Sequence, residues 1–210
     1  DAVFSEFNLD SKEIVETPHT VAYSCQLIQG VDPASPEMRE ATGDAADLQK
    51  AGEAYFGKRE IWLEIGFGGG EHLVHMAKSY PDVGIIGCEP FVNGVAMLLG
   101  KIRKAEVTNL AVHPGDARDM FDVLPAGTLT KVFLNYPDPW PKKRHHRRRF
   151  VTQEHLQPLF DVMAPNAELR VATDIKDYVR QSLEEIPKAG FEWLAERPDD
   201  WRTAWPDWIS

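Results

Sequence analysis

A chain of 210 residues with 43% hydrophobic side chains is long enough for one globular domain and an appended segment. Its two cysteines exclude a disulfide framework, and no run of 18 apolar residues predicts a membrane helix. The net charge of −10 argues against nucleic-acid binding, but residues 1–53 carry eleven acidic and three basic side chains, which leaves only −2 elsewhere. We expect a cytoplasmic, reducing location, because the chain contains no apolar segment typical of a signal peptide.

The chain divides into an acidic segment without a recognisable motif, 1–53, and a predicted domain, 54–210. In the acidic segment, 21–28 is predicted to be a short strand and 33–50 a helix or a mobile arm. In the domain, short apolar runs bounded by glycine, proline or acidic residues alternate with segments of helical spacing. The predicted strands are 61–65, 83–88, 110–113, 131–134, 168–172 and a late strand at 191–195. The predicted helices are 70–80, 91–105, 151–163 and one that follows Asp174 and ends near 186.

This alternation predicts an α/β fold with a doubly wound, mostly parallel, Rossmann-like sheet. Ligands of such sheets bind beyond the carboxyl ends of the strands. An acidic residue lies at or just after the end of each of the first five domain strands, so one edge of the sheet should carry five carboxylates. These are Glu64, Glu89, Asp116, Asp138 and Asp174.

The first domain strand ends in a glycine-rich turn, in which Gly66 and Gly68 would let backbone N–H groups approach a ligand. The dinucleotide pattern Gly-x-Gly-x-x-Gly fails because Glu71 occupies its third position. The crowded 68–70 glycines instead resemble the first motif of class I methyltransferases, which bind S-adenosylmethionine. Acidic residues favour that cationic ligand. Glu64 would lie beside it, Glu89 would accept from its ribose hydroxyls and Asp116 would bind its adenine. The alternative is a generic glycine-rich turn with surface acids.

A proline-framed carboxylate precedes a run of cations. Pro137 and Pro139 fix the backbone on either side of Asp138, as precise positioning requires. Residues 142–149 then contain six lysines and arginines, and we predict that Lys142, Arg144 and Arg147 bind phosphates. The alternatives are a rigid surface loop and a solvated basic patch. No metal site is predicted, because the adjacent histidines lack a carboxylate or cysteine at ligand spacing.

Segment 134–151 resembles the signature of bacterial tRNA (guanine-N7)-methyltransferases, as do 63–68 and 172–174. The resemblance covers roughly 60–197. It implies that the acids at 64, 89 and 116 bind S-adenosylmethionine, that Asp138 is the active-site acid, and that Lys142 and Asp174 contact the substrate. The implied target is a guanine in the tRNA variable loop.

The chain departs from this family in two ways. The family has a basic N-terminal arm, whereas 1–53 is acidic, and it ends in a Thr-x-Tyr/Phe-Glu motif that 207–210 lacks. We interpret the second departure as a shortened chain or an altered part of the site. Two alternatives stay open: a class I methyltransferase for another nucleic acid or a protein, and a non-catalytic RNA-binding relative. We predict a monomer or homodimer without membrane contact.

Overall fold

The computed structural model describes residues 21–24 and 60–194 of the chain. Strands and helices alternate through this region. In chain order they are β1 (Val21–Ser24), β2 (Ile61–Ile65), α1 (Glu71–Ser79), β3 (Gly84–Cys88), α2 (Val92–Ala105), β4 (Leu110–His113), α3 (Arg118–Phe121), β5 (Leu129–Asn135), a 3-10 helix (Lys143–Arg148), α4 (Gln153–Val162), β6 (Met163–Thr173) and α5 (Lys176–Lys188).

The strands form one sheet in the order β1-β6-β5-β2-β3-β4. All neighbours from β6 to β4 pair in parallel, and β1 pairs antiparallel with β6. The order reverses at β2, which lies between β3 and β5. The carboxyl ends of β2 and β5 therefore border the crevice in which open α/β sheets bind ligands. The predicted doubly wound, mostly parallel sheet is confirmed.

Alternate residues of each strand face opposite sides of the sheet, and each side carries its own helices. In β2, Trp62 packs with Leu73 of α1 and Leu98 of α2. Its neighbour Leu63 packs on the other side, in a cluster that includes residues of α3, α4 and α5. Glu64 is two residues after Trp62 and therefore points to the same side of the sheet, towards α1.

Several element boundaries differ from the sequence prediction. β6 begins at Met163 rather than at 168, because its first residues continue the parallel pairing with β5. The late strand is wrong for 191–194, which have no regular structure. Strand β1 lies within the predicted 21–28, whereas the predicted helix or arm at 33–50 lies outside the described residues, as does the rest of the acidic segment.

Candidate active site

The turn between β2 and α1 is built from glycines in left-handed conformations. Gly66 has a φ of 70° and Gly68 a φ of 54°, and a Cβ atom on either would meet no atom within 4 Å. Gly70 has a φ of 79°, and a Cβ there would lie 2.5 Å from the side chain of Leu98. Gly70 is therefore required for packing against α2. The backbone at Gly66 and Gly68 is not covered by other atoms, and it borders the crevice where the strand order reverses.

Glu89 connects this turn to the beginning of α2. Its side chain is buried, and its two carboxylate oxygens accept hydrogen bonds from the backbone N–H groups of Gly68 and Phe91, both at 2.9 Å. Two bonds from backbone donors fix the carboxylate in one orientation. Each oxygen can accept a further bond, so this geometry leaves capacity for the predicted ribose contact.

Glu64 belongs to a buried polar cluster at the ends of β2 and β5. Its Oε2 lies 2.9 Å from Nδ1 of His72, and its Oε1 accepts a hydrogen bond of 3.2 Å from Nδ2 of Asn135. The amide oxygen Oδ1 of Asn135 is buried without a hydrogen-bond partner. A buried acceptor usually has a donor, so this oxygen lies where a cationic ligand group could be bound.

Asp116 follows β4 and is paired with a neighbouring arginine. Its Oδ1 accepts from the backbone N–H and from Nε of Arg118, at 3.0 and 2.8 Å, and its Oδ2 accepts from Nη2. The hydrogen bond from the Arg118 side chain lowers the pKa of Asp116 below its ordinary value of 3.8. If Asp116 binds the adenine amino group, that group and Arg118 would share the same carboxylate.

The Asp116–Arg118 pair predicts a specific pH dependence of stability. The folded state lowers the pKa of Asp116, so the stabilisation is present above pH 3.8 and is lost as the pH falls through the folded pKa. Asp116→Asn should lower the free energy of unfolding by at most about 1 kcal/mol at pH 7, because the pair is partly exposed. Urea titrations of both proteins should show that this difference decreases progressively as the pH falls below 3.8. A constant difference from pH 7 to 3 would contradict the assignment.

Asp138 and Asp174 differ from the other three acids in being exposed. Within the described residues, neither carboxylate takes part in a hydrogen bond or an ion pair. Asp138 lies in the loop after β5, between residues with φ of 47° (Tyr136) and 40° (Trp140). The backbone N–H of Tyr136 donates to the carbonyl of Ala172 at 2.7 Å, which fixes the beginning of this loop to β6. The site edge therefore carries two carboxylates free to bind a substrate.

The basic run forms the 3-10 helix and its flanks, and five of its six cations are exposed. These are Lys142, Lys143, Arg144, Arg147 and Arg148. Arg148 lies over the ring of Trp140, with 4.8 Å between its guanidinium carbon and the ring centroid. The sixth cation, Arg149, is only 1% exposed. The basic run therefore does not form one exposed surface, because the guanidinium of Arg149 binds protein groups inside the fold.

The roles of two residues of this region, His72 and Arg149, were not predicted from the sequence. His72 lies in the first turn of α1 and contacts both Glu64 and Asn135, and Arg149 binds α5. The only sequence signal for His72 is its place two residues after the glycine turn. The only sequence signal for the burial of Arg149 is the apolar pair that follows it, Phe150 and Val151.

Among residues 21–24 and 60–194, no group of three or more histidine, cysteine, aspartate or glutamate side chains is arranged to hold a metal ion. No helix in these ranges has the length and apolar character needed to cross a bilayer.

The doubly wound sheet of this chain, with a glycine-rich turn and buried carboxylates where the strand order reverses, has the fold of class I methyltransferases. Two solved structures share it. An antibiotic-related methyltransferase matches with a TM-score of 0.51 and 14% identity over 72% of this chain and 77% of that one. The precorrin-6y C5,15-methyltransferase of Geobacter metallireducens GS-15 matches with a TM-score of 0.52 and 12% identity, over 69% and 70%. At these identities, the likeness concerns the fold alone.

The sequence comparisons are more specific. Residues 58–203 match the family described as "Putative methyltransferase". A tRNA (guanine-N(7)-)-methyltransferase of Hyphomonas neptunium is 42% identical over 86% of this chain and 87% of its own length. One of Jannaschia sp. is 74% identical over 74% of this chain. The chain belongs to the tRNA (guanine-N7)-methyltransferase family. It spans less than two thirds of the length of the Jannaschia relative and of one from Ruegeria sp., at 65% and 62%.

Proposed function

We propose that the chain transfers a methyl group from S-adenosylmethionine to N7 of a guanine in the variable loop of tRNA. The observation that carries this proposal is an exposed, unpaired carboxylate, Asp138, in a loop between the glycine-turn edge and a surface of five cations. Membership of the family supports the choice of substrate and atom. A cytoplasmic location follows from this substrate, and the buried free thiol of Cys88 fits a reducing compartment.

The residues around the glycine turn fit S-adenosylmethionine. The unpartnered oxygen of Asn135 and the carboxylate of Glu64 are suited to its ammonium group. The free faces of Gly66 and Gly68 border the space that its methionyl part would fill, and Glu89 has acceptor positions for ribose hydroxyls. Asp116 would accept from the adenine amino group. When bound, S-adenosylmethionine supplies an electrophilic methyl group on a sulfonium.

The chemistry of guanine determines what the protein must contribute. N7 presents a lone pair and carries no proton, so no general base is needed before attack. Asp138 would accept hydrogen bonds from the N–H edge of the guanine and so orient N7. Its charge would also stabilise the positive charge that develops on the methylated base. Asp174, the second unpaired carboxylate of this edge, would hold the same nucleotide through its base or ribose.

The exposed cations would bind the tRNA backbone. Lys142, Arg144 and Arg147 present three cationic groups to solvent next to the Asp138 loop. Phosphate contacts orient a nucleic acid without reading its sequence. This surface would therefore bring the variable loop to the carboxylate, while the pocket selects the base.

Arg144→Gln combined with Arg147→Gln should weaken tRNA binding and make it less sensitive to salt. Each phosphate contact contributes about 0.7–0.9 to the slope of log affinity against log salt concentration, so the slope should fall by about 1.5. The measurement is fluorescence titration of labelled tRNA from 50 to 300 mM KCl, about the range in which such contacts dominate.

The matched control replaces two exposed cations of α2, Arg103→Gln and Lys104→Gln. These lie in the last turn of α2, and helices of such folds end at the opposite edge of the sheet. The control should bind tRNA as the wild type does. Equal slopes for the Arg144/Arg147 double variant and the wild type would remove this surface from the interface.

Binding of S-adenosylmethionine separates the proposal from a non-catalytic RNA-binding relative. Calorimetric titration should detect one cofactor site per chain, and labelled methyl should then pass to unmodified tRNA. A chain that binds tRNA but not the cofactor would overturn the proposed function.

A further inference from the structure

Arg149 carries a buried guanidinium that is bound by protein groups on two sides. Its Nε donates to the carbonyl of Pro139 at 2.7 Å, in the loop that holds Asp138. On the other side, its Nη1 donates to Oε1 of Gln181 at 2.9 Å, and its Nη2 donates to Oδ2 of Asp177 at 2.8 Å. One side chain therefore connects the loop after β5 to helix α5.

The partners of Arg149 are themselves fixed. Nε2 of Gln181 donates to the carbonyl of Val151 at 2.7 Å, so the glutamine binds both the arginine and the chain that follows it. The ring of Tyr178 lies beneath the guanidinium, 5.2 Å from its central carbon to the ring centroid, and is completely buried. Nη1 of Arg149 also donates to the carbonyl of Asp177 at 3.4 Å. A planar cation held by a ring below and four acceptor atoms around it has a single orientation.

The loop needs such a connection because its backbone is strained and poor in donors. Tyr136 and Trp140 have positive φ angles of 47° and 40°, which are unfavourable for residues with a Cβ atom. Pro137, Pro139 and Pro141 have no backbone N–H with which to bind the loop to its surroundings. Beyond the bond from the Tyr136 N–H to Ala172, the loop can be held through its carbonyl groups, and Arg149 binds the carbonyl of Pro139, the residue that directly follows Asp138.

We infer that Arg149 is a positioning residue that sets the orientation of Asp138 without touching the substrate. This inference rests on the proposed function, because the effect is expressed through Asp138. It differs from the role proposed for Lys142, Arg144 and Arg147, which face solvent and would bind phosphate. A purely structural role would stabilise the fold but would leave the balance between turnover and tRNA binding unchanged.

The test compares Arg149→Lys with the wild type at saturating tRNA and S-adenosylmethionine. Lysine keeps the positive charge but lacks the fork that binds Pro139, Gln181 and Asp177 together. We expect kcat to fall roughly ten- to a hundredfold, the loss expected from a misplacement of about 1 Å. KM for tRNA and the affinity for S-adenosylmethionine should stay within about twofold, because both binding surfaces are intact.

Two further variants make the result interpretable. Gln181→Met removes one acceptor of Arg149 and should lower kcat by a smaller factor, and it replaces Arg149→Lys if that variant does not fold. Arg170→Lys is the matched control, since Arg170 is largely buried, is paired with Glu168 and lies over the ring of Phe133 within the sheet. Wild-type kcat in the Arg149 and Gln181 variants would overturn the inference. So would equal losses of kcat, tRNA binding and cofactor binding, as general destabilisation would cause.

Trypsin cleavage within 142–148 gives a readout that does not depend on methyl transfer. Loss of the connection to α5 should speed this cleavage in Arg149→Lys at least about fivefold, as expected when charged hydrogen bonds are removed, with little change in Arg170→Lys. Equal cleavage rates in the wild type and Arg149→Lys would overturn the inference. A wild-type chain that transfers no methyl, but whose Arg149 variant is cleaved faster, would instead overturn the proposed function and leave the connection supported.

Discussion

Asp138→Ala should lower kcat for methyl transfer to tRNA by about 10²–10³-fold, the effect of removing a well-placed electrostatic group. The physical reason is that the exposed carboxylate of Asp138 has no partner in the described structure, so it is available to the guanine. Affinity for S-adenosylmethionine should stay close to that of the wild type, because the glycine turn and Glu89 are unchanged. Single-turnover transfer of labelled methyl, with cofactor affinity measured in parallel, tests this expectation.

Asp138→Asn distinguishes the role of the charge from that of the side-chain shape. Asparagine replaces one acceptor oxygen with a donor that faces the N–H edge of guanine, so this variant should lose nearly as much activity as alanine. The matched control is Asp82→Ala, an exposed aspartate in the turn between α1 and β3, at the opposite edge of the sheet. Near wild-type turnover in either Asp138 variant would remove this residue from the mechanism.

Glu89→Gln should raise the dissociation constant for S-adenosylmethionine by roughly tenfold or more. The carboxylate accepts from two backbone donors, Gly68 N–H and Phe91 N–H. Glutamine offers one oxygen, so one buried donor would face an amide group, and an unsatisfied buried donor costs about 1–3 kcal/mol. The change should also lower the melting temperature by several degrees. Calorimetry and thermal unfolding measure the two effects.

Glu184→Gln provides the control for Glu89→Gln, since it makes the same chemical change at an exposed position of α5. It should bind the cofactor as the wild type does. Unchanged cofactor affinity in Glu89→Gln would contradict the view that this carboxylate organises the glycine turn.

The sheet and the edge that carries the site were predictable because both depend on local patterns. Short apolar runs that end in glycine or acidic residues, as at Glu64 and Glu89, indicate buried parallel strands and the side on which a ligand binds. Parallel pairing then brings acids from distant parts of the chain to one edge.

The partners of individual side chains were not predictable in the same way. Arg149 ends a basic run and has the composition of a phosphate-binding residue, yet its guanidinium is buried against α5. Asp116 follows the end of a strand, as Glu89 does, but its carboxylate accepts hydrogen bonds from Arg118. These differences depend on which helix packs against which loop, a tertiary contact that residue type and periodicity do not encode.

The most direct test of the proposed function is transfer of labelled methyl from S-adenosylmethionine to an unmodified bacterial tRNA, with the modified atom mapped. We predict N7-methylguanine in the variable loop, and no transfer to a matched tRNA with 7-deazaguanine at that position, since 7-deazaguanine lacks only the reacting nitrogen. Label on another base or another atom, or undiminished transfer to the 7-deazaguanine tRNA, would contradict the assignment of guanine N7 as the methyl acceptor.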